Sequence, residues 1–175
     1  MKKTGLMVGM ALLLVSAILI KMNQSNESLL VSAHEAVKEA YGDFYIPSKA
    51  ISADVLESQY GVNITDIEDY IAESALMSTH VDLFIGIKVK RGSELEVADA
   101  LNRYRNMMLD TYAMDSAKRA KIEASTVSTF GNYVFFMVLG QNSDAVLSDE
   151  NAFLSEAVRE SRKAKLALSG VFNNN

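Results

Sequence analysis

The stretch Ala124–Gly140, ASTVSTFGNYVFFMVLG, holds two runs of β-branched and aromatic residues hinged on Gly131-Asn132. Thr126–Phe130 and Tyr133–Leu139 have the composition of strands, and Gly followed by Asn suits a two-residue type II′ turn between them. The first run alternates hydroxyl and apolar side chains, as a half-buried strand does. The second is apolar at nearly every position and has no face to give to water, which makes it a central strand.

Upstream, Val81–Lys90, VDLFIGIKVK, also runs at period 2. Val81, Leu83, Ile85, Ile87 and Val89 fall on one face, and Asp82, Phe84, Gly86, Lys88 and Lys90 on the other. Between this strand and the hairpin, Ser93-Glu94-Leu95-Glu96 reads as a capping box opening a long helix to about Tyr112, with Val97, Leu101, Tyr104, Met108 and Tyr112 as its stripe. Asp115 caps a shorter helix, Ser116–Ile122. A right-handed crossover then places Tyr133–Leu139 between the other two strands, which run parallel to each other. The expected fold is α+β: a three-stranded sheet of split β-α-β order, packed by amphipathic helices, plus an N-terminal hydrophobic anchor helix.

The remaining helices follow from their stripes and stops. Leu29–Tyr41 carries Leu30, Ala33, Val37 and Tyr41 after a Ser28 cap, and Gly42 ends it. Ser52 starts a short helix, Ala53–Tyr60. Ile64–Ala75 reads as a third, with Ile64, Ile67, Tyr70 and Ile71 opposite Asp66, Glu68, Asp69 and Glu73. Ser148 opens the last helix, which Gly170 stops.

At 175 residues and 49% hydrophobic content the chain forms one domain of ordinary size plus appendages. Cysteine is absent, which excludes disulfides, thiolate catalysis and thiolate metal sites. Lys2-Lys3 precede the apolar run Gly5–Ile20, GLMVGMALLLVSAILI, which ends at Lys21 and gives way to a polar segment. Residues 1–21 therefore read as a signal anchor, or as a signal peptide cut after Val15-Ser16-Ala17. Residues 22–28 follow as a linker, residues 29–170 as one extracytoplasmic domain, and residues 171–175 as a disordered tail. The lysine bias puts the N-terminus inside and the body outside a cell membrane. Removing Lys2, Lys3 and Lys21 from the 17 basic residues leaves 14 against 22 acidic ones, a net charge of −8 for the body. Such a domain is a poor partner for nucleic acid.

Several words along the chain are shared with a known family: Tyr45-Ile46-Pro47, Tyr60-Gly61-Val62, Ala75-Leu76-Met77 ahead of Val81–Lys90, and Gly131-Asn132-Tyr133 opening an apolar strand. In order and spacing, from about Leu30 to Gly140, they resemble the bacterial family catalogued as domain of unknown function 4358. The resemblance implies a secreted or membrane-attached protein of the kind that is often a lipoprotein. Without cysteine this chain departs from the lipoprotein pattern, so a peptide anchor takes that place. The family carries no activity, cofactor or catalytic residue to transfer.

No stretch spells a catalytic constellation or a cofactor site. His34 and His80 stand on different elements, and a metal site built on either would need a carboxylate such as Glu35 or Asp82 beside it. Asp66, Glu68, Asp69 and Glu73 read as a solvated face, since glycosidase carboxylates must oppose each other across a cleft. Two surfaces stand out. One is the second face of the sheet, represented by Phe84 and Phe136, which either a helix of this chain or a partner must cover. The other is the basic run Arg159, Arg162, Lys163 and Lys165, whose sign opposes that of the body. These support a membrane-anchored, non-enzymatic module that binds a protein of the bacterial cell envelope. The alternative is a small-molecule or wall-polymer binding domain, for which a pocket with convergent polar groups would speak. An envelope hydrolase ranks last.

Overall fold

The computed structural model describes residues 28–141 and 150–173. The strands are β1 (Lys49–Ala50), β2 (Ile67–Ser74), β3 (Leu83–Val89), β4 (Thr126–Phe130) and β5 (Tyr133–Val138). The helices are α1 (Leu29–Tyr41), α2 (Ala53–Ser58), α3 (Glu94–Thr111), α4 (Ser116–Ala124) and α5 (Glu150–Asn173), with 3-10 turns at Gly42–Phe44 and Ile64–Asp66. The strands form one five-stranded sheet in the order β1-β2-β3-β5-β4, every neighbouring pair antiparallel. This corrects the three-stranded expectation. Of the two added strands, β2 lies in the segment read as the helix Ile64–Ala75, and β1 in a stretch to which no element had been assigned.

The misread segment is β2. Its register slips between Ile67 and Asp69, so one extra residue bulges out at Glu68. Ile67 and Tyr70 therefore pack on the same face although they are three apart, and Ile71 packs on the other. A bulged strand thus imitated the spacing of a helical stripe. The hairpin turn takes the geometry its residues demand: Gly131 has φ +57, and no described residue other than glycine has positive φ, which is the type II′ pattern.

Both faces of the sheet are covered. Leu83, Ile85, Ile87, Val89, Val134 and Phe136 form one core with Leu56 of α2 and with Val97, Leu101 and Met108 of α3. Phe84, Phe135, Met137 and Leu139 form the other with Leu30, Ala33 and Val37 of α1 and Ala164 and Leu168 of α5. α1 approaches closely because Gly86 has no side chain. A Cβ there would lie 2.8 Å from Phe135 Cε1 and 3.1 Å from Leu30 Cδ1.

Polar locks hold the helices to the sheet ends. Lys121 Nζ of α4 donates to both carboxylate oxygens of Asp82 at 2.8 Å, where the two side chains are 6% and 0% exposed. Arg105 of α3 donates through Nε to the carbonyls of Ile122 and Ser125 and through Nη2 to that of Glu123, closing the end of α4. Ser93 does not cap α3 as expected; its hydroxyl donates to Asp66 Oδ1, and Glu94 accepts from the Gly92 N–H. α5 runs through Gly170 to Asn173 instead of stopping there. Among the described residues no helix is long and apolar enough to cross a membrane. The expected anchor over residues 5–20 and the Ser148 cap lie outside the described residues.

Candidate functional site

A groove of about 440 Å³ lies where edge strand β1, helix α2, the second half of α3 and the β2–β3 connection converge. Its volume falls in the usual range for ligand sites. Pro47 is buried and leads the chain into β1. Ser52 then turns it into α2, whose Leu56 anchors in the core while Val55 and Gln59 line the groove. On α3, Tyr104, Met108 and Tyr112 recur at four-residue spacing, one helical face, and all three border the same space.

The lining divides by polarity. Ile51, Tyr60, Val81, Leu83 and Met108 are buried and make an apolar floor, whereas Lys49, Ser52, Gln59, Met77 and Ser78 are exposed along the rim. Tyr60 and Tyr104 pack with ring centroids 4.3 Å apart, and Gln59 Nε2 donates to the Tyr104 hydroxyl at 3.2 Å. Burial first, and the neighbouring Tyr104 second, push the Tyr60 hydroxyl well above the usual phenol range, so it stays protonated.

His80 stands at the mouth with Nδ1 3.7 Å from Asp82 Oδ2. That separation exceeds a hydrogen bond, and the Asp82 carboxylate is already held by Lys121. Among the described residues no hydroxyl hydrogen-bonds the His80 ring. Nor does any group of three or more His, Asp or Glu among the described residues gather as a metal site.

The second histidine belongs to a different cluster. Tyr45 donates its single hydroxyl proton to Glu73 Oε2 at 3.1 Å, so the 2.9 Å contact with His34 Nε2 has the imidazole as donor. The Phe84 ring lies 4.7 Å from the imidazole. Burial lowers the His34 pKa below its ordinary value, and the Glu73 carboxylate opposes that shift. The cluster ties α1 to β2 and does not line the groove.

The residues singled out from the sequence fall in three places. Phe84 and Phe136 are both 0% exposed and on opposite faces of the sheet, Phe84 under α1 and Phe136 edge-on to Tyr104. Helices of this chain cover them, so neither is on the surface. Arg159, Arg162, Lys163 and Lys165 are exposed on α5. Two of them are partly neutralised by their own helix: Arg159 lies 3.1 Å from Glu156, and Lys163 lies 2.8 Å from the buried Glu160. The acidic group is dispersed among unrelated contacts. Asp66 accepts from Ser93, Glu68 pairs with Lys88, Asp69 caps the Tyr70 N–H, and Glu73 joins the His34 cluster.

Sequence reasoning did not locate the groove. Tyr104, Met108 and Tyr112 were visible as one stripe, but a stripe does not say where the sheet beneath it ends. A family model described as Domain of unknown function (DUF4358) matches residues 40–139. Every groove-lining residue, from Lys49 to Tyr112, falls inside that span, whereas α5 and most of α1 fall outside it. No curated protein and no solved structure matches the chain.

Proposed function

The chain belongs to the family of Domain of unknown function (DUF4358), which covers more than half of it, and from that premise we propose that the domain is a binding module whose ligand occupies the groove between β1, α2 and α3. The observation that carries the reading is the groove itself: an apolar floor under a rim of amide, hydroxyl and amino groups, built wholly within the family segment. The second sheet face, the other place for a partner, is occupied by α1 and α5. The apolar run Gly5–Ile20 behind Lys2-Lys3 supports attachment to a cell membrane with the domain outside. In that setting the module captures a component of the cell envelope.

Methionine methyl NMR tests the groove. Met77 and Met108 line it, Met114 is 98% exposed elsewhere, and Met137 packs on the opposite face of the sheet. Titrating the full-length chain with a fragment library of sugars, short peptides and amphiphiles is expected to move the Met77 and Met108 signals first. Hits that move Met114 alone, or no hit at all, would overturn the assignment.

A further inference from the structure

We propose that the groove takes an extended, acidic peptide segment of a partner protein, which adds as a strand to the free edge of β1. The proposal rests on the reading of the groove as a binding site and names its ligand. Ile51 donates its N–H to the Ala72 carbonyl at 2.8 Å, so peptide groups alternating along the strand turn the N–H and C=O of Ala50 away from β2. Ala50 is exposed and lines the groove, and among the described residues no side chain caps those two groups. The part of β2 that β1 leaves uncovered is treated differently: its Tyr70 N–H is closed by Asp69 Oδ1 at 2.9 Å, next to the bulge. A blunted edge beside an open one marks the open one as the place where a strand can pair.

The rings in the groove argue against a sugar. Stacking on a saccharide needs a free aromatic face, but Tyr104 packs on Tyr60 at 4.3 Å and meets Phe136 edge-on at 6.5 Å. One face of Tyr112 carries the Lys118 ammonium at 5.3 Å. What the groove offers instead is a largely polar lining with two unbranched, adaptable side chains, Met77 on the rim and Met108 in the floor, which can close on an aliphatic side chain. The charge is specific too. In a chain of net charge −5, the only full positive charge lining the groove among the described residues is Lys49, and the one carboxylate among them, Asp82, is buried and paired with Lys121. A peptide with an acidic residue beside its aliphatic one fits this lining.

The test is selection from a phage-displayed library of random nine-residue peptides on the full-length chain in detergent, followed by affinity measurement with the selected peptides as synthetic probes. Ala50→Pro removes the outward N–H at an edge position that tolerates proline. It is expected to weaken binding at least tenfold with the circular dichroism spectrum unchanged, and Lys49→Glu to weaken acidic peptides to a similar degree. N-methylation of the peptide at the residue paired with Ala50 is expected to cost tenfold as well, and it leaves the protein untouched if a variant misfolds. No enriched peptide, or peptides indifferent to both N-methylation and Ala50→Pro, would overturn the proposal. If sugars or amphiphiles then still move the Met77 and Met108 signals, the peptide assignment alone falls; if nothing does, the groove falls with it.

Discussion

Replacing Lys121 by methionine removes the cation from the most deeply buried ion pair among the described residues. Its ammonium sits 2.8 Å from both oxygens of Asp82, whose side chain is 0% exposed. The stranded carboxylate would keep only the His80 ring at 3.7 Å. Stripping one partner from such a pair costs about 3–5 kcal/mol, a large part of a domain stability of about 5–15 kcal/mol. Asp82→Leu strands the ammonium and is expected to cost as much. The double variant strands nothing and is expected to lie within about 1 kcal/mol of the parent or above it. The three results form a double-mutant cycle with a coupling energy of several kcal/mol. Urea unfolding followed by far-ultraviolet circular dichroism and tyrosine emission reads it, since the chain has no tryptophan. Single variants that each lose less than about 1 kcal/mol, the scale of a solvent-exposed pair, would refute the claim that this lock is dry and holds α4 to the sheet.

Other consequences concern the opposite face and the N-terminus. Burial lowers the His34 pKa below 6.5, so the unfolded chain takes the proton more readily. The stability that neutral His34 contributes is present above about pH 6.5 and is lost as the pH falls from there through the folded value; His34→Gln is expected to flatten the drop in urea midpoint between about pH 7.5 and 5. A parent and variant with the same pH slope would contradict this. Gly86→Ala places a methyl group 2.8 Å from the Phe135 ring and is expected to destabilise by about 1–3 kcal/mol in the same assay; an unchanged midpoint would mean that α1 packs less closely than described. Because the chain has no cysteine, Ser58→Cys on the exposed end of α2 provides a single reporter. A membrane-impermeant maleimide is expected to label it in intact cells, and labelling only after lysis would place the domain inside.

The hairpin and β3 could be read from the sequence because each has an unbroken local signal. Gly131-Asn132 dictates the turn, Tyr133–Val138 has no polar side to expose, and Leu83–Val89 holds period 2 throughout. β2 lacked such a signal because the bulge at Glu68 set Ile67 and Tyr70 three apart on one face. β1 is two residues long, too short for any period, and lies between the buried Pro47 and Ser52 at the start of α2. Phe84 was recognised as needing a cover, and α1 and α5 supply it. The groove was beyond reach for a different reason: it is made by elements as far apart in sequence as Ala50 and Tyr112, and their meeting depends on a sheet edge that the sequence reading had not placed. The Asp82–Lys121 pair was hidden in the same way, as two charges 39 positions apart.

On the proposed reading a partner meets the groove and not the basic side of α5. A photo-cross-linking phenylalanine analogue placed in intact cells at Gln59 on the groove rim, and separately at Arg162 on α5, decides between them. The expected result is an adduct from Gln59 that a selected acidic peptide competes away, and none from Arg162. An adduct from Arg162 alone, or one at Gln59 that the peptide leaves untouched, would contradict it.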